Sequence, residues 1–285
     1  METEKAAILI EALPYIKEHY GKTMVVKFGG KAMVSEELKK SIATDIVLMK
    51  YVGINPIVVH GGGPDITAYM GKLDKRVEFV EGLRVTDKET MEIVKMVLVG
   101  KINKELVSLI NQHGKLAVGL SGEDGMLIEA KKHLASGGID LGFVGDVEKI
   151  NSGLIENLTE ENFIPIVASV GVDREGNSYN INADDVAGEL AAALGAEKVI
   201  FLTDVIGICK DRSDPSTLIS ELSLSECEEM VTAKRISGGM IPKAKGCIKA
   251  LKGGVAKAHI INGVEKHALL LEVFTDRGIG TMITG

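Results

Sequence analysis

Three glycine clusters in this 285-residue chain stand where phosphate chemistry would use them, and two of the three carry a lysine. The first is Lys27-Phe28-Gly29-Gly30, at the end of the apolar run Met24–Phe28. Paired glycines let backbone N–H groups approach an anion with no Cβ in the way, and a lysine beside them adds a point charge for a transferring phosphoryl group. Taken singly, Lys-x-Gly-Gly is equally the pattern of a surface lysine before a turn. The second cluster, His60-Gly61-Gly62-Gly63-Pro64, ends in a proline suited to the first turn of a helix, and reads as another anion cradle. It is neither a dinucleotide fingerprint nor a Walker loop, since Gly-x-Gly-x-x-Gly and Gly-Lys-Ser/Thr are absent there. His60 reads as a packing or hydrogen-bonding residue rather than a base. The third cluster, Ser237-Gly238-Gly239-Met240-Ile241-Pro242-Lys243, puts a cation in the first turn of a helix. The helix dipole disfavours that placement unless an anion binds there too.

Two further groups suit a small anionic substrate. Arg84, in Gly82-Leu83-Arg84-Val85-Thr86-Asp87, could clamp a carboxylate in two-point fashion, or could be an exposed charge before a helix cap at Thr86 or Asp87. Asn180-Ile181-Asn182-Ala183-Asp184-Asp185 opens an Ala-rich helix. Asn182 or Asp184 could serve as a cap, while an Asp held between lysines would orient them and limit their repulsion, and Asn180 could donate to a substrate carboxylate.

These residues need a frame. Apolar, β-branched runs at Met24–Phe28, Pro56–His60, Leu116–Leu120, Ile164–Ala168, Lys198–Thr203 and Ala258–Ile261 predict strands. Helical patterns cover Ser35–Tyr51, Lys88–Val99, Lys101–His113, Asp184–Leu194 and Pro242–Leu251. Near-continuous apolar strands separated by helices predict an α/β fold, an αβα sandwich around a mostly parallel sheet, with two lobes meeting near residues 170–200. Val77–Val85 and Gly142–Ile150 read as short hairpins covering a site. Ile8, Leu9, Ala12, Leu13 and Ile16 predict an N-terminal helix, kinked at Pro14, that packs on its own domain or on another subunit.

Composition narrows the function classes. A net charge of −7 argues against a nucleic-acid footprint, and the absence of Trp argues against base or sugar stacking. Cys209, Cys227 and Cys247 match no metal or disulfide spacing and read as buried or half-buried thiols. No apolar run is long enough to span a membrane, and Met1–Lys5 leads directly into an amphipathic pattern without a signal sequence, so a cytoplasmic location is expected.

The order of the motifs, Lys-x-Gly-Gly, His-Gly-Gly-Gly-Pro, Gly-Leu-Arg-Val-Thr-Asp, Asn-x-Asn-Ala-Asp and Gly-Gly-Met-x-x-Lys, resembles the amino-acid kinase family from about Tyr20 onward. Met96–Lys104 and Tyr179–Asp184 are similar to the branch that phosphorylates the side-chain carboxylate of N-acetyl-L-glutamate, a step in arginine synthesis. The resemblance implies the amino-acid kinase fold and the use of ATP with Mg²⁺ carried on its oxygens, so that no protein metal site is expected. It implies that Lys27 and Lys243 stabilise the phosphoryl group and that Asp184 organises them. Gly62, Gly63, Arg84 and Asn180 would hold the substrate, Gly29, Gly30, Thr203, Asp204 and Lys210 would meet the nucleotide, and Thr203-Asp204-Val205 with the segment near Lys210 to Ser213 would shape its pocket. Lys31 departs from the small Ser or Thr common in the family, and its role is open. The resemblance further implies residues 1–20 as an oligomerisation helix, 21–195 as a substrate-binding and dimerising lobe, and 196–285 as an ATP lobe. The ends of the chain look like the arginine-sensitive type, a dimer extended to a hexamer, with Tyr15, His267, Glu272 and Gly280 as the effector site. Other readings are a kinase of N-acetyl-aminoadipate or a related small acid, and a non-catalytic sensor on the same scaffold.

Overall fold

The computed structural model describes residues 7, 9–33, 35–275 and 278–285. The side chain of Lys31 lies outside the described residues. In chain order the strands are β1 (Thr23–Phe28), β2 (Asn55–His60), β3 (Phe79–Val80), β4 (Leu83–Arg84), β5 (Ala117–Ser121), β6 (Ile128–Leu134) and β7 (Asp140–Ile150). Then follow β8 (Ile164–Ala168), β9 (Val170–Val172), β10 (Ser178–Ile181), β11 (Lys198–Thr203), β12 (Glu221–Ser223), β13 (Lys257–Asn262) and β14 (Gly280–Thr284).

Eight strands form one sheet in the order β12-β14-β13-β11-β1-β2-β8-β5. Neighbours run parallel except at the β13–β14 pair. The two-residue period of a strand explains why the central strands read as unbroken apolar runs. Met24, Val26 and Phe28 join Val58 and helix Glu36–Tyr51 in the core on one face. Val25, Val59 and Phe201 join helices Ala183–Ala193 and Met240–Lys252 on the other. Lys27 shares the parity of Val25, so its side chain emerges under those two helices.

A second, closed set of four strands, β10-β7-β6-β9, stands beside the main sheet. The expected hairpin at Gly142–Ile150 is instead the body of the single long strand β7, paired antiparallel with β6. Polar and charged residues that interrupt the apolar run, as in Ile-Glu-Ala-Lys-Lys-His-Leu of β6, hid this half-exposed set from an apolar search. The other expected hairpin is present. β3 and β4 pair antiparallel across Glu81 and Gly82, both at positive φ, as a tight two-residue turn needs.

The break expected near Gly100 does not occur. Helix Lys88–Lys95 widens into a π-helical stretch, Met96–Ile102, and runs on as Asn103–Asn111. Pro14 lies in the first turn of helix Leu13–His19, where its missing N–H costs nothing. Cys227 and Cys247 are buried, Cys209 half-buried, and none is in a disulfide. Among the described residues no helix is long and apolar enough to cross a membrane.

Candidate active site

The carboxylate of Asp184 bridges two lysines that are 216 positions apart in the chain. Its Oδ1 lies 3.0 Å from Lys27 Nζ and its Oδ2 3.1 Å from Lys243 Nζ. Lys27 and Asp184 are both buried. Burial alone would raise the Asp184 carboxyl, but the two ammonium groups more than offset it and hold the acid below its ordinary range. Burial pulls the Lys27 ammonium down, with Asp184 opposing the fall. Asn182 is the helix cap, its Oδ1 accepting from Asp184 N at 2.8 Å, so the acid next to it is spared that duty.

Glycines set this triad. A Cβ on Gly29 would lie 2.5 Å from Lys27 Nζ, so the lysine folds back over its own loop only because position 29 is bare. Helices Ala183–Ala193 and Met240–Lys252 cross at Gly188 and Gly246. A Cβ on Gly188 would meet the Gly246 carbonyl at 2.5 Å, and one on Gly246 would meet the Asp184 carbonyl at 2.7 Å. That close crossing delivers Lys243 to Asp184.

The triglycine loop is held from behind. His60 is fully buried and burial drives its pKa down to about 4, so the ring is neutral. Its Nδ1–H donates to Gly61 O at 3.1 Å, and Nε2 accepts from Asn103 Nδ2 at 3.1 Å, the one tautomer that satisfies both contacts. Asn103 also donates to the Ile166 and Leu120 carbonyls, at 2.8 and 3.2 Å. The π-helical turn just before it presses Ile102 and Leu98 against Gly62, where a Cβ would lie 2.3 Å from Ile102. Gly63 has open space where its side chain would be. Sequence reasoning missed Asn103. No local pattern marks it, since Lys101, Lys104 and Glu105 flank it.

Arg84 is buried, with no acidic partner among the described residues. Its guanidinium donates to Gly63 O at 3.0 Å and Thr67 Oγ1 at 2.8 Å and stacks on Phe79, while burial lowers its pKa. Asn180 lies on β10 across the opening and donates to Thr86 Oγ1 at 3.3 Å. A buried guanidinium free of any carboxylate is suited to receive one from a ligand.

A cavity of about 340 Å³ opens beside Lys243, lined by Thr203 and Asp204 together with Gly207, Ile208, Arg212 and Met240. Gly30 takes a positive φ of 68° at the turn after β1. Of the segment expected here, near Lys210 to Ser213, Arg212 lines the cavity while Lys210 is exposed and does not. Arg212 sits two residues on, in a loop whose direction no local pattern sets. A second cavity, of about 320 Å³, is lined by Tyr15, Glu272 and Gly280 with Lys198 and Glu18. His267 does not line it. Its ring turns instead to Asp45, with Nδ1 2.6 Å from Oδ1.

Residues 22–262 match the amino acid kinase family. The chain is 58% identical to the acetylglutamate kinase of Moorella thermoacetica, over 98% of this chain and 97% of that protein. It is 56% identical to the acetylglutamate kinase of Heliobacterium modesticaldum, over 98% of each. Among solved structures, the N-acetylglutamate synthase of Neisseria gonorrhoeae complexed with coenzyme A and N-acetyl-glutamate superposes with a TM-score of 0.87 at 25% identity. That match takes in 98% of this chain but 63% of the synthase chain. Carbamate kinase from Giardia lamblia bound to AMP-PNP shares the fold, with a TM-score of 0.68 at 17% identity over 93% of this chain and 98% of that one. The matched span and the identity of these full-length relatives agree with the site's geometry: this chain belongs to the amino acid kinase family.

Proposed function

We propose that this chain transfers the γ-phosphoryl group of ATP to the side-chain carboxylate of N-acetyl-L-glutamate. The observation that carries this reading is the Lys27–Asp184–Lys243 bridge at the carboxyl end of β1. The names of the full-length relatives supply the substrate. In the reaction a carboxylate oxygen forms a bond to the γ-phosphorus, the bond to the β,γ-bridging oxygen breaks, and ADP leaves with that electron pair. No proton need move, so a general base is not required. The barrier is the meeting of two anions, and fixed cations lower it by matching the charge that spreads over the phosphoryl oxygens.

In this reading Lys27 and Lys243 grip the phosphoryl group, and Asp184 holds them apart at a set distance. Gly62 and Gly63 offer backbone N–H groups to the substrate, while Arg84 and Asn180 take its carboxylate and acetamido ends. Gly29 and Gly30 face the ATP phosphates, with Thr203 and Asp204 in the nucleotide cavity. The Asp184 carboxylate is occupied by two lysines. Mg²⁺ would therefore ride on phosphate oxygens and screen their charge. Residues 21–195 would serve the amino-acid substrate and residues 196–285 the nucleotide, in a cytoplasmic enzyme of arginine synthesis.

We further propose feedback inhibition by arginine at the cavity beside Tyr15, Glu272 and Gly280. Glu272 is nearly buried and poised there, its carboxylate 2.6 Å from His259 Nδ1 and accepting from Ile279 N at 3.1 Å. Leu9, Ile10 and Leu13 are exposed on the N-terminal helical segment, which supports its use in joining dimers into a hexamer.

The test is a coupled ADP-release assay over N-acetylated and free acidic amino acids, N-acetyl-aminoadipate included, with and without arginine. Turnover on N-acetyl-L-glutamate is expected, and its absence overturns the reading. Deleting residues 1–20 should reduce the particle mass and blunt inhibition; a hexamer and inhibition that persist would sink the regulatory part.

A further inference from the structure

Thr86 sits between the two side chains assigned to the amino-acid substrate, and nothing in the chemistry described so far uses it. It is fully buried. Its hydroxyl donates to the Arg84 carbonyl at 2.7 Å and accepts from Asn180 Nδ2 at 3.3 Å, so one oxygen is bonded to both gripping residues. A hydroxyl can do this because it donates and accepts at once.

The backbone of Thr86 is itself strapped down. Its N–H donates to Leu141 O at 2.8 Å, and its carbonyl accepts from Phe143 N at 2.6 Å. Between those partners Gly142 takes a φ of 76°, and a Cβ there would lie 2.2 Å from Thr86 O. Thr86 is thus seated on β7, which also pairs with β10 at Val144 and Asn180. The Arg84 hairpin also packs Val80, Leu83 and Val85 on Ala135, Leu141 and Val144, but its own strand pairing is short. Its ladder is two pairs long, Phe79 with Arg84 and Val80 with Leu83, and such a hairpin is marginal alone.

We propose that Thr86 is a positioning residue for the amino-acid substrate, its hydroxyl setting the distance between Arg84 on the hairpin and Asn180 on the barrel. The proposal rests on the substrate-gripping roles given above to Arg84 and Asn180. Losing the hydroxyl leaves the buried Arg84 carbonyl without this donor and frees the half-buried Asn180 amide, and the hairpin shifts in response. A small displacement at one end of the substrate weakens its binding while leaving the phosphoryl centre, on the far side of the loop, intact.

The experiment compares Thr86→Val, which keeps the shape and removes the hydroxyl, with Thr86→Ser, which keeps the hydroxyl. For Thr86→Val the KM for N-acetyl-L-glutamate should rise about tenfold or more, with kcat within about threefold and the KM for ATP unchanged. Thr86→Ser should return the KM to within about threefold of the parent. Thr86→Ala carries the same reading if the valine variant does not fold. Equal losses in the serine and valine variants, or a fall in kcat alone, would overturn the proposal. Asn180→Ala and Arg84→Lys separate it from the underlying assignment. If both raise this KM and Thr86→Val does not, Thr86 is not the positioning residue. If neither Asn180→Ala nor Arg84→Lys moves it, and Thr86→Val does not either, the substrate-gripping roles fall with the proposal.

Discussion

Asp184→Asn keeps the size of the side chain between Lys27 and Lys243 and removes its charge. The separations are 3.0 and 3.1 Å, and side-chain exposure of the lysines is 8% and 14%, so water screens little of the interaction. At an effective dielectric of about 20, Coulomb's law gives roughly 5 kcal/mol for a unit pair at that distance. Asparagine keeps one acceptor oxygen and recovers a part of this, leaving about 4 kcal/mol, or roughly a thousandfold in rate. The expected result is a kcat lowered by about that factor, with both KM values changed only a few-fold. Burial already pulls the Lys27 ammonium below its ordinary range, and without its carboxylate it falls further. The alkaline limb of the kcat profile should therefore move to lower pH. Steady-state ADP release across the pH range reads both effects. Two unpaired cations also destabilise the fold, by about 3–5 kcal/mol for a broken buried pair. The double variant Lys27→Met/Asp184→Asn should regain most of the lost melting temperature and none of the activity. A kcat within tenfold of the parent with an unmoved alkaline limb, or activity restored in the double variant, refutes the reasoning.

Three other substitutions probe the frame. Gly29→Ala displaces the Lys27 ammonium, which a new Cβ would approach to 2.5 Å, so kcat should fall about a hundredfold while stability changes by under about 1 kcal/mol; parent-like kcat would contradict the folded-back lysine. Gly246→Ala drives a methyl toward the Asp184 carbonyl and the Phe201 ring, at 2.7 and 2.8 Å, and should cost about 1–3 kcal/mol in denaturant unfolding as well as kcat. An unchanged midpoint would count against that crossing. His60 is held neutral, with its pKa lowered to about 4 from 6.5, so the unfolded chain takes up a proton first as pH falls. The stability due to neutral His60 is complete above pH 6.5 and is lost as pH drops through about 4, a change of roughly 3 kcal/mol. Relative to the parent, His60→Asn should gain stability by up to about that amount on acidification. Asp45, raised to about 6 by burial, works in the opposite sense in both proteins and cancels in the difference. A constant difference across that range would refute the neutral, locked ring.

Much of the frame was legible because its causes are local. Lys198–Thr203 and Ile164–Ala168 are strands at the expected bounds, and the other expected strands differ by one residue at one or both ends. Two-residue alternation places Lys27 on the face of Val25, and glycine pairs after a strand mark loops where backbone can meet an anion. What stayed hidden depends on partners distant in the chain. The barrel strands mix charged residues and glycines with apolar ones, so β7 read as a hairpin. A glycine at 100 read as a helix end, whereas packing on Gly62 keeps the chain helical through a wide turn.

The site divides in the same way. Sequence alone marked Lys27, the triglycine loop, Arg84, Asn180, Asp184 and Lys243 as separate pieces, because residue type and immediate neighbours determine which chemistry each can do. Only the tertiary structure brings Lys27 and Lys243 onto one carboxylate, through the bare crossing of Gly188 and Gly246. It selects Arg212 from the segment near Lys210 to Ser213 for the cavity, turns His267 away toward Asp45, and links Arg84 to Asn180 through Thr86. The physical reason is range. Hydrophobic period and turn chemistry act over a few residues, whereas the direction of a loop and the meeting of side chains 216 positions apart depend on how the whole core packs.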